Sequence, residues 1–296
     1  MSHRHRVARP RLLGAVTLAA VLAVPGVALT ASAASAGAGE VYVALGDSFT
    51  SGPGIPNPKG EPRGCVRSDH NYPTLVADAI TPAEFRDVSC GGAVSDHMTQ
   101  PQQTADGPNP PQFDALTGDT TLVTVSVGGN DIGFGEIVTT CATLSVTDPF
   151  GAPCKERYTS GGSDELAERV AAYAPKMRAV VKAIGERSPH ATVLVVGYLR
   201  VLPPSEGCYP REPIAKGDVP YLDRIQRLLN RALADAASAH GAGYVDAYGP
   251  SLGHDICQLP GDKWVEGTVP TSPAAPVHPN AAGMEAVAKE VLAALR

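Results

Sequence analysis

Short apolar runs alternate along the chain with longer stretches whose apolar residues recur at the spacing of an α-helix. The apolar and β-branched runs predict β-strands over residues 41–45, 85–89, 121–127, 192–196 and 244–246. The helical spacing predicts α-helices over residues 72–80, 164–187, about 221–240 and from Pro279 towards the C-terminus. Strands that alternate with helices predict right-handed crossovers, and therefore a mainly parallel sheet with helices on both faces.

Several stretches show neither the apolar runs of a strand nor the spacing of a helix, and these predict irregular structure. They are residues 53–69, 100–112, 141–162 and 249–277. Pro175 lies inside the predicted helix over residues 164–187, and we expect it to break or kink that helix. None of these stretches has the length and composition of an interdomain linker. We therefore predict a single domain over residues 34–296.

Polar or permissive residues follow three of the predicted strands at the point where each strand ends. Ser48 follows the first strand, Gly92 the second and Asn130 the third. The carboxyl ends of parallel strands meet at one edge of the sheet, where ligands bind in open α/β folds. A serine at that edge can act as a nucleophile if a base reaches it, and His278, just before the last predicted helix, is the candidate base.

These four residues together are suited to acyl transfer. Ser48 would attack a carbonyl carbon, while His278 takes the serine proton and later delivers it to the leaving alcohol. The resulting oxyanion requires preorganised donors, which the backbone N–H groups of Ser48 and Gly92 and the side-chain amide of Asn130 could supply. Glycine suits position 92 because its backbone can approach a substrate closely.

The chain resembles the GDSL or SGNH hydrolase family. The family's motif blocks match, in order, Gly46-Asp47-Ser48-Phe49, Gly92, Gly129-Asn130-Asp131 and His278-Pro279-Asn280. The resemblance implies a three-layer α/β/α sandwich on a five-stranded, mainly parallel sheet of flavodoxin-like order. With six cysteines and a secretory signal, the chain looks like the extracellular actinomycete-type branch, which contains esterases, lipases and phospholipases.

One position departs from the family pattern. The family usually has an aspartate three residues before the histidine, and here that position is Ala275. We predict that a backbone carbonyl orients His278 instead, with Ala275 as the expected donor of that carbonyl and its neighbours as fallback. Asp255 and Asp262 are less favoured remote replacements. Asp47 is interpreted as a turn former.

The N-terminus predicts a secretory signal peptide over residues 1–33. Four arginines precede an apolar stretch that ends in small residues of the Ala-Ser-Ala type, which favours cleavage over a membrane anchor. Removal of these residues lowers lysine plus arginine from 24 to 20 against 30 acids, so the mature net charge is about −10. This charge argues against nucleic acid as a partner. We expect a secreted, extracellular monomer with no stable membrane insertion.

Six cysteines in a secreted chain suggest three disulfides. Of the 15 connectivities that six cysteines allow, we prefer pairing of nearest neighbours. The preferred pairs are Cys65–Cys90, Cys141–Cys154 and Cys208–Cys257. The absence of a CxxC motif disfavours zinc, and the serine mechanism implies neither a metal nor a cofactor.

The leading hypothesis is therefore a secreted serine hydrolase of the esterase or lipase type, which cleaves carboxylic esters of small molecules or lipids. A carbohydrate O-acetylesterase and a phospholipase A would use the same catalytic groups. The alternative from another functional class is an extracellular binding module that keeps this fold but has lost its catalytic activity. Only the missing aspartate supports it.

Overall fold

A parallel five-stranded sheet forms the centre of residues 39–296, the part of the chain that the computed structural model describes. The predicted signal peptide lies outside the described residues. The strands are β1 (Val41–Gly46), β2 (Glu84–Asp87), β3 (Gln102–Thr104), β4 (Gly107–Asn109), β5 (Leu122–Ser126), β6 (Thr192–Val196) and β7 (Gly243–Val245). The main sheet has the order β2-β1-β5-β6-β7, which confirms the predicted flavodoxin-like order, and β3 and β4 form a separate antiparallel hairpin.

Helices cover both faces of this sheet and complete the predicted three-layer sandwich. The helices of the described residues are α1 (Ser48–Ser51), α2 (Tyr72–Ile80), α3 (Phe134–Ser145), α4 (Pro153–Thr159), α5 (Glu165–Arg187), α6 (Val219–Ala239) and α7 (Ala281–Ala294). Helix α2 packs with α7, and α5 packs with α6. Strand β1 lies between β2 and β5 and is buried along its whole length, so its carboxyl end is held rigidly in the middle of the molecule.

Two predictions about local structure are wrong. Residues 141–162, predicted as a loop, include the end of α3 and all of α4. Helix α3 buries Ile137, Cys141 and Ser145, four residues apart, but the threonines between them hide this period in the sequence. The expected break at Pro175 is also wrong, since α5 runs without interruption from Glu165 to Arg187, with buried residues on both sides of the proline.

The six cysteines are joined in the three expected pairs, Cys65–Cys90, Cys141–Cys154 and Cys208–Cys257. The first pair ties the segment after β2 to a short 3₁₀ turn at Arg63–Cys65, and both of its cysteines are fully buried. It therefore restrains the strand end that carries Gly92. Within residues 39–296, no helix combines the length and apolarity needed to cross a membrane.

Candidate active site

Ser48 is the first residue of α1, directly beyond the end of β1. Asp47 caps this short helix, since its side chain accepts a hydrogen bond from the backbone N–H of Phe49 at 2.9 Å. The chain can turn sharply here because position 46 is glycine. A Cβ atom on Gly46 would lie 2.6 Å from the carbonyl oxygen of Ser126, a contact that real side chains do not make.

His278 reaches Ser48 from the other end of the chain. Its Nε2 atom lies 2.8 Å from the Oγ atom of Ser48. Its Nδ1 atom lies 2.8 Å from the carbonyl oxygen of Pro276. The expected orienting carbonyl, that of Ala275, instead accepts a hydrogen bond from the backbone N–H of His278 at 3.2 Å. The choice of a backbone carbonyl therefore agrees with this geometry, but the choice of Ala275 was wrong by one residue.

A tight turn over residues 275–278 explains why Pro276 supplies this carbonyl. Ala275 and His278 close the turn, Pro276 occupies its second position, and Val277 occupies its third with a φ of 59°. Proline at the second position and a positive φ at the third are features of a type II turn. This turn differs from type I by a flip of its central peptide, which carries the Pro276 carbonyl.

Burial disfavours the charged form of the His278 imidazole. Burial lowers the pKa of His278 from its ordinary value, because the imidazolium form loses hydration, and the Pro276 carbonyl only partly offsets this shift. The rings of Phe49 and Phe134 lie 5.2 Å and 6.2 Å from the imidazole, centroid to centroid. With Nδ1–H donating to Pro276, Nε2 is left as the acceptor for the Ser48 hydroxyl.

The structure also brings Gly92 and Asn130 together. The side-chain Nδ2 of Asn130 donates to the carbonyl oxygen of Ala93 at 2.9 Å, which fixes the amide beside the Gly92 segment. An amide nitrogen carries two hydrogens, so the second remains available to a ligand. Gly92 has a φ of 77°, a left-handed conformation that glycine adopts without strain.

The carboxylates of Asp47 and Asp131 fix neighbouring segments of the site by accepting hydrogen bonds. Asp131 accepts hydrogen bonds from the backbone N–H of Ser95 at 2.9 Å and from its hydroxyl at 2.5 Å. Asp47 is almost fully buried, and burial raises its pKa to about 7. Besides Phe49, it accepts a hydrogen bond from the hydroxyl of Tyr198 at 2.5 Å. The interpretation of Asp47 as a turn former therefore did not include its buried hydrogen bond with Tyr198.

The remote acids do not replace the missing aspartate of the family pattern. The carboxylate of Asp255 accepts from the backbone N–H of Cys257 at 2.9 Å and from the side chain of Gln258. The backbone carbonyl of Asp262 faces Nδ1 of His254 at 2.6 Å. Trp264 stacks on His254, with ring centroids 3.9 Å apart, and belongs to the packing of the 249–277 segment.

A deep apolar pocket opens beside Ser48. Small-ligand sites are typically lined by hydrophobic side chains with a few polar groups, and this pocket has that character. Its wall is mainly aliphatic and comes from α3, α6 and the segments after β6. The apolar side chains that line it include Ile137, Val138, Val201, Leu202, Ile214, Leu222, Ile225, Leu229 and Ile256. The sequence did not identify this pocket, because its residues come from segments far apart in the chain.

A doubly wound parallel sheet with a serine and a histidine in hydrogen-bond contact at its carboxyl edge is an arrangement typical of serine hydrolases. The chain belongs to the GDSL-like lipase/acylhydrolase family, whose model matches residues 44–286. It is therefore a carboxylic ester hydrolase, which removes the support for the binding-module alternative.

Known relatives agree with this assignment. The chain is 39% identical to Lipase 2 of Streptomyces coelicolor over 85% of this chain and 84% of the relative. It is 32% identical to an esterase of Streptomyces scabiei over 96% of this chain and 94% of the relative. Among solved structures, phospholipase A1 from Streptomyces albidoflavus is 30% identical with a TM-score of 0.71, over 86% of this chain and 99% of that one. The three relatives have different activities in their names, so they support the chemistry more strongly than a particular substrate.

Proposed function

We propose that the protein is a secreted serine hydrolase that cleaves esters with an apolar acyl chain through an acyl-enzyme on Ser48. The observation that carries this proposal is the contact of 2.8 Å between Ser48 Oγ and His278 Nε2 at the mouth of the apolar pocket. A nucleophile and its base within hydrogen-bond reach are the signature of an activated serine. The pocket then gives the acyl chain a place to bind next to the reacting atoms.

In the acylation step, Ser48 Oγ attacks the carbonyl carbon of the ester while its proton moves to Nε2 of His278. The protonated imidazole then delivers this proton to the leaving alcohol as the tetrahedral intermediate collapses. In deacylation, water takes the place of the alcohol, and His278 activates it in the same way. The Pro276 carbonyl holds Nδ1–H throughout both steps, so the imidazole keeps one tautomer.

The negative charge that develops on the substrate oxygen requires donors. The backbone N–H groups of Ser48 and Gly92 and the Nδ2–H₂ of Asn130 are our proposed oxyanion hole. Within the described residues, neither backbone N–H has a protein acceptor, and Asn130 is held by Ala93 with one hydrogen to spare. Donors that are positioned in advance stabilise the transition state without reorganising at the moment of reaction.

The pocket favours an acyl substrate longer than acetate. Leu222, Ile225 and Leu229 present apolar side chains from one face of α6, over seven residues or roughly 10 Å of helix. An acetyl group would leave this surface unused, whereas each buried methylene contributes about 0.8 kcal/mol. This observation favours a lipase or esterase activity over a carbohydrate O-acetylesterase. A phospholipase A activity would use the same pocket, as the name of the Streptomyces albidoflavus relative suggests.

Secretion rests on the predicted signal peptide at residues 1–33 and on three disulfides, which form in oxidising compartments. We propose an extracellular monomer that requires neither a metal nor a cofactor for the serine mechanism.

An activity panel tests the proposed function. The mature protein and a Ser48→Ala control are assayed on nitrophenyl esters of increasing chain length, a triacylglycerol, a phospholipid and an acetylated sugar. We expect turnover to rise from acetate to medium-chain esters and to vanish in Ser48→Ala. A preference for the acetylated sugar would contradict the role of the apolar pocket, and turnover by Ser48→Ala would contradict the role of the serine.

A further inference from the structure

Tyr198 lies two residues beyond the end of β6 and is almost completely buried, with 4% of its surface exposed. Its hydroxyl contacts two segments that the proposed mechanism treats separately. It donates to Oδ2 of Asp47 at 2.5 Å and accepts from the backbone N–H of Gly129 at 2.8 Å. Asp47 directly precedes Ser48, and Gly129 directly precedes Asn130. A single hydroxyl therefore joins the residues that precede two of the proposed oxyanion donors.

The backbone hydrogen bonds that join β1 to β5 end at Asp47, one residue before Ser48. The backbone N–H of Asp47 donates to the carbonyl of Ser126 at 3.0 Å, and beyond this bond the chains after β1 and β5 diverge into α1 and the Gly129 segment. Beyond that point the Tyr198 hydroxyl joins the two segments, beside a direct contact of the Asp47 carboxylate with the Gly129 N–H. It donates its one proton to Asp47 and accepts one N–H from Gly129, so the bridge has a defined direction.

We propose that Tyr198 is a positioning residue, whose hydroxyl sets the separation between the Ser48 N–H and the Asn130 amide in the oxyanion hole. The inference rests on the proposed function of those donors. Oxyanion contacts strengthen only as charge develops in the transition state. Loss of the hydroxyl should therefore lower kcat while KM stays nearly constant.

The aromatic ring of Tyr198 has a separate packing role. It lines the apolar pocket and meets the ring of Phe49 edge-on, with centroids 5.1 Å apart. The substitution Tyr198→Phe keeps this ring and removes only the bridging oxygen. Asp47 would then lose its hydrogen bond from Tyr198, and the N–H of Gly129 would lose its acceptor at 2.8 Å and keep only the nearby Asp47 carboxylate.

Tyr173 offers a matched control. It is also a buried tyrosine in contact with the segment after β5, and its hydroxyl donates to the carbonyl of Val127. That bond does not involve Asp47 or Gly129. The substitution Tyr173→Phe therefore removes a buried hydroxyl of the same kind without breaking the bridge.

The test measures kcat and KM of the mature wild type, Tyr198→Phe and Tyr173→Phe on a medium-chain ester. Each kcat is divided by the fraction of active sites that an organophosphonate titrates, so a misfolded fraction does not count as slow enzyme. We expect Tyr198→Phe to lose ~10–100-fold in kcat with KM changed less than ~3-fold, and Tyr173→Phe to stay within ~3-fold of wild type. A kcat for Tyr198→Phe within threefold of wild type, or an equal loss in Tyr173→Phe, would overturn the proposal.

A double-mutant cycle with Asp47→Asn adds a measurement that a merely structural role would not reproduce. If Tyr198 acts partly through Asp47, the double variant loses less kcat than the product of the two single losses. Losses that simply multiply would contradict the bridge. If Tyr198→Phe does not fold, Asp47→Asn alone tests the same link, and an unchanged kcat in that variant overturns the proposal.

Failure of the proposed function has a different signature. In that case wild type itself would show neither ester turnover nor phosphonate labelling at Ser48, whereas failure of the Tyr198 inference leaves the wild type fully active.

Discussion

His278 donates from Nδ1 to the carbonyl oxygen of Pro276, at 2.8 Å, and Pro276 stands only two residues earlier in the chain. The group that orients the candidate base is thus part of the same turn as the base. A carbonyl dipole fixes the tautomer but lacks the full charge with which a carboxylate stabilises imidazolium. The His278 imidazole is therefore oriented towards Ser48 without an acid at position 275.

This relationship predicts that restoring the aspartate of the family pattern has little effect. We expect Ala275→Asp to change kcat/KM by less than about threefold, because the Pro276 carbonyl already occupies Nδ1. Ala274→Asp places the same charge one residue away and controls for a general electrostatic effect. A tenfold rise in kcat/KM in Ala275→Asp alone would mean that the carbonyl is a poor substitute.

The pH profile of the wild type should reflect the lowered pKa of His278. The base acts only when it is unprotonated, and burial disfavours its protonated form. The activity should therefore persist below the ordinary histidine pKa of about 6.5 and fall as the pH drops through the lowered value. The measurement is kcat/KM on an uncharged ester.

Asp47, whose pKa burial raises to about 7, provides the competing explanation for an acid limb. If kcat/KM falls near pH 7 in the wild type and this fall disappears in Asp47→Asn, then the titration of Asp47 limits the activity, contrary to this prediction. A limb that lies below 6.5 and remains in Asp47→Asn would assign it to His278.

The width of the pocket should determine acyl-chain preference. Val138 lines the pocket from α3, and the adjacent Thr139 is exposed on the opposite side of that wall. We expect Val138→Trp to lower the ratio of octanoate to acetate turnover by about tenfold or more, because the indole ring fills space that a longer chain needs. Thr139→Trp should leave the ratio unchanged. If both variants kept the wild-type ratio, the chain would bind elsewhere.

The Cys65–Cys90 disulfide should affect both stability and catalysis. It closes a sequence separation of 25 residues, and loss of such a link destabilises a fold by about 3 kcal/mol. Because it restrains the strand end before Gly92, the Cys65→Ala/Cys90→Ala double variant should also lose kcat below its melting transition.

The matched control is the Cys141→Ala/Cys154→Ala double variant, which removes the link between α3 and α4. Denaturant unfolding should show a comparable loss of stability, and kcat at a temperature where the protein is folded should stay close to wild type. Equal losses of kcat in the two double variants would count against a specific role of the Gly92 segment.

The sheet and the strand-end residues were predictable because they depend on local signals. Apolar runs end in glycines at Gly46, Gly92 and Gly129, and such signals survive without any knowledge of distant contacts. His278 was assigned to Ser48 on other grounds, namely the need of a serine nucleophile for a base and the match to the family's motif blocks. The prediction of the carbonyl that orients His278 was wrong by one residue, because that carbonyl depends on the orientation of the peptide between Pro276 and Val277. Only the proline favours this turn in the sequence, because the third position of a type II turn usually holds glycine or asparagine and here it holds Val277.

Neither the contacts of the Tyr198 hydroxyl nor the pocket could be predicted from sequence patterns. A lone tyrosine after an apolar strand looks like an ordinary core residue, and only the fold shows that its hydroxyl meets Asp47 and Gly129. The pocket wall likewise combines residues from α3, α6 and the segments after β6. Such contacts depend on how the helices pack on the sheet.

The central claim is that His278 activates Ser48 as a nucleophile, and covalent labelling tests it most directly. The mature protein is treated with a nitrophenyl phosphonate, and the adduct is measured by intact mass and located by peptide mapping. The account predicts one adduct per chain on Ser48, no adduct in Ser48→Ala, and labelling slowed by at least ~10³-fold in folded His278→Ala. A folded wild type that remains unlabelled, or a His278→Ala variant that labels at the wild-type rate, would contradict it.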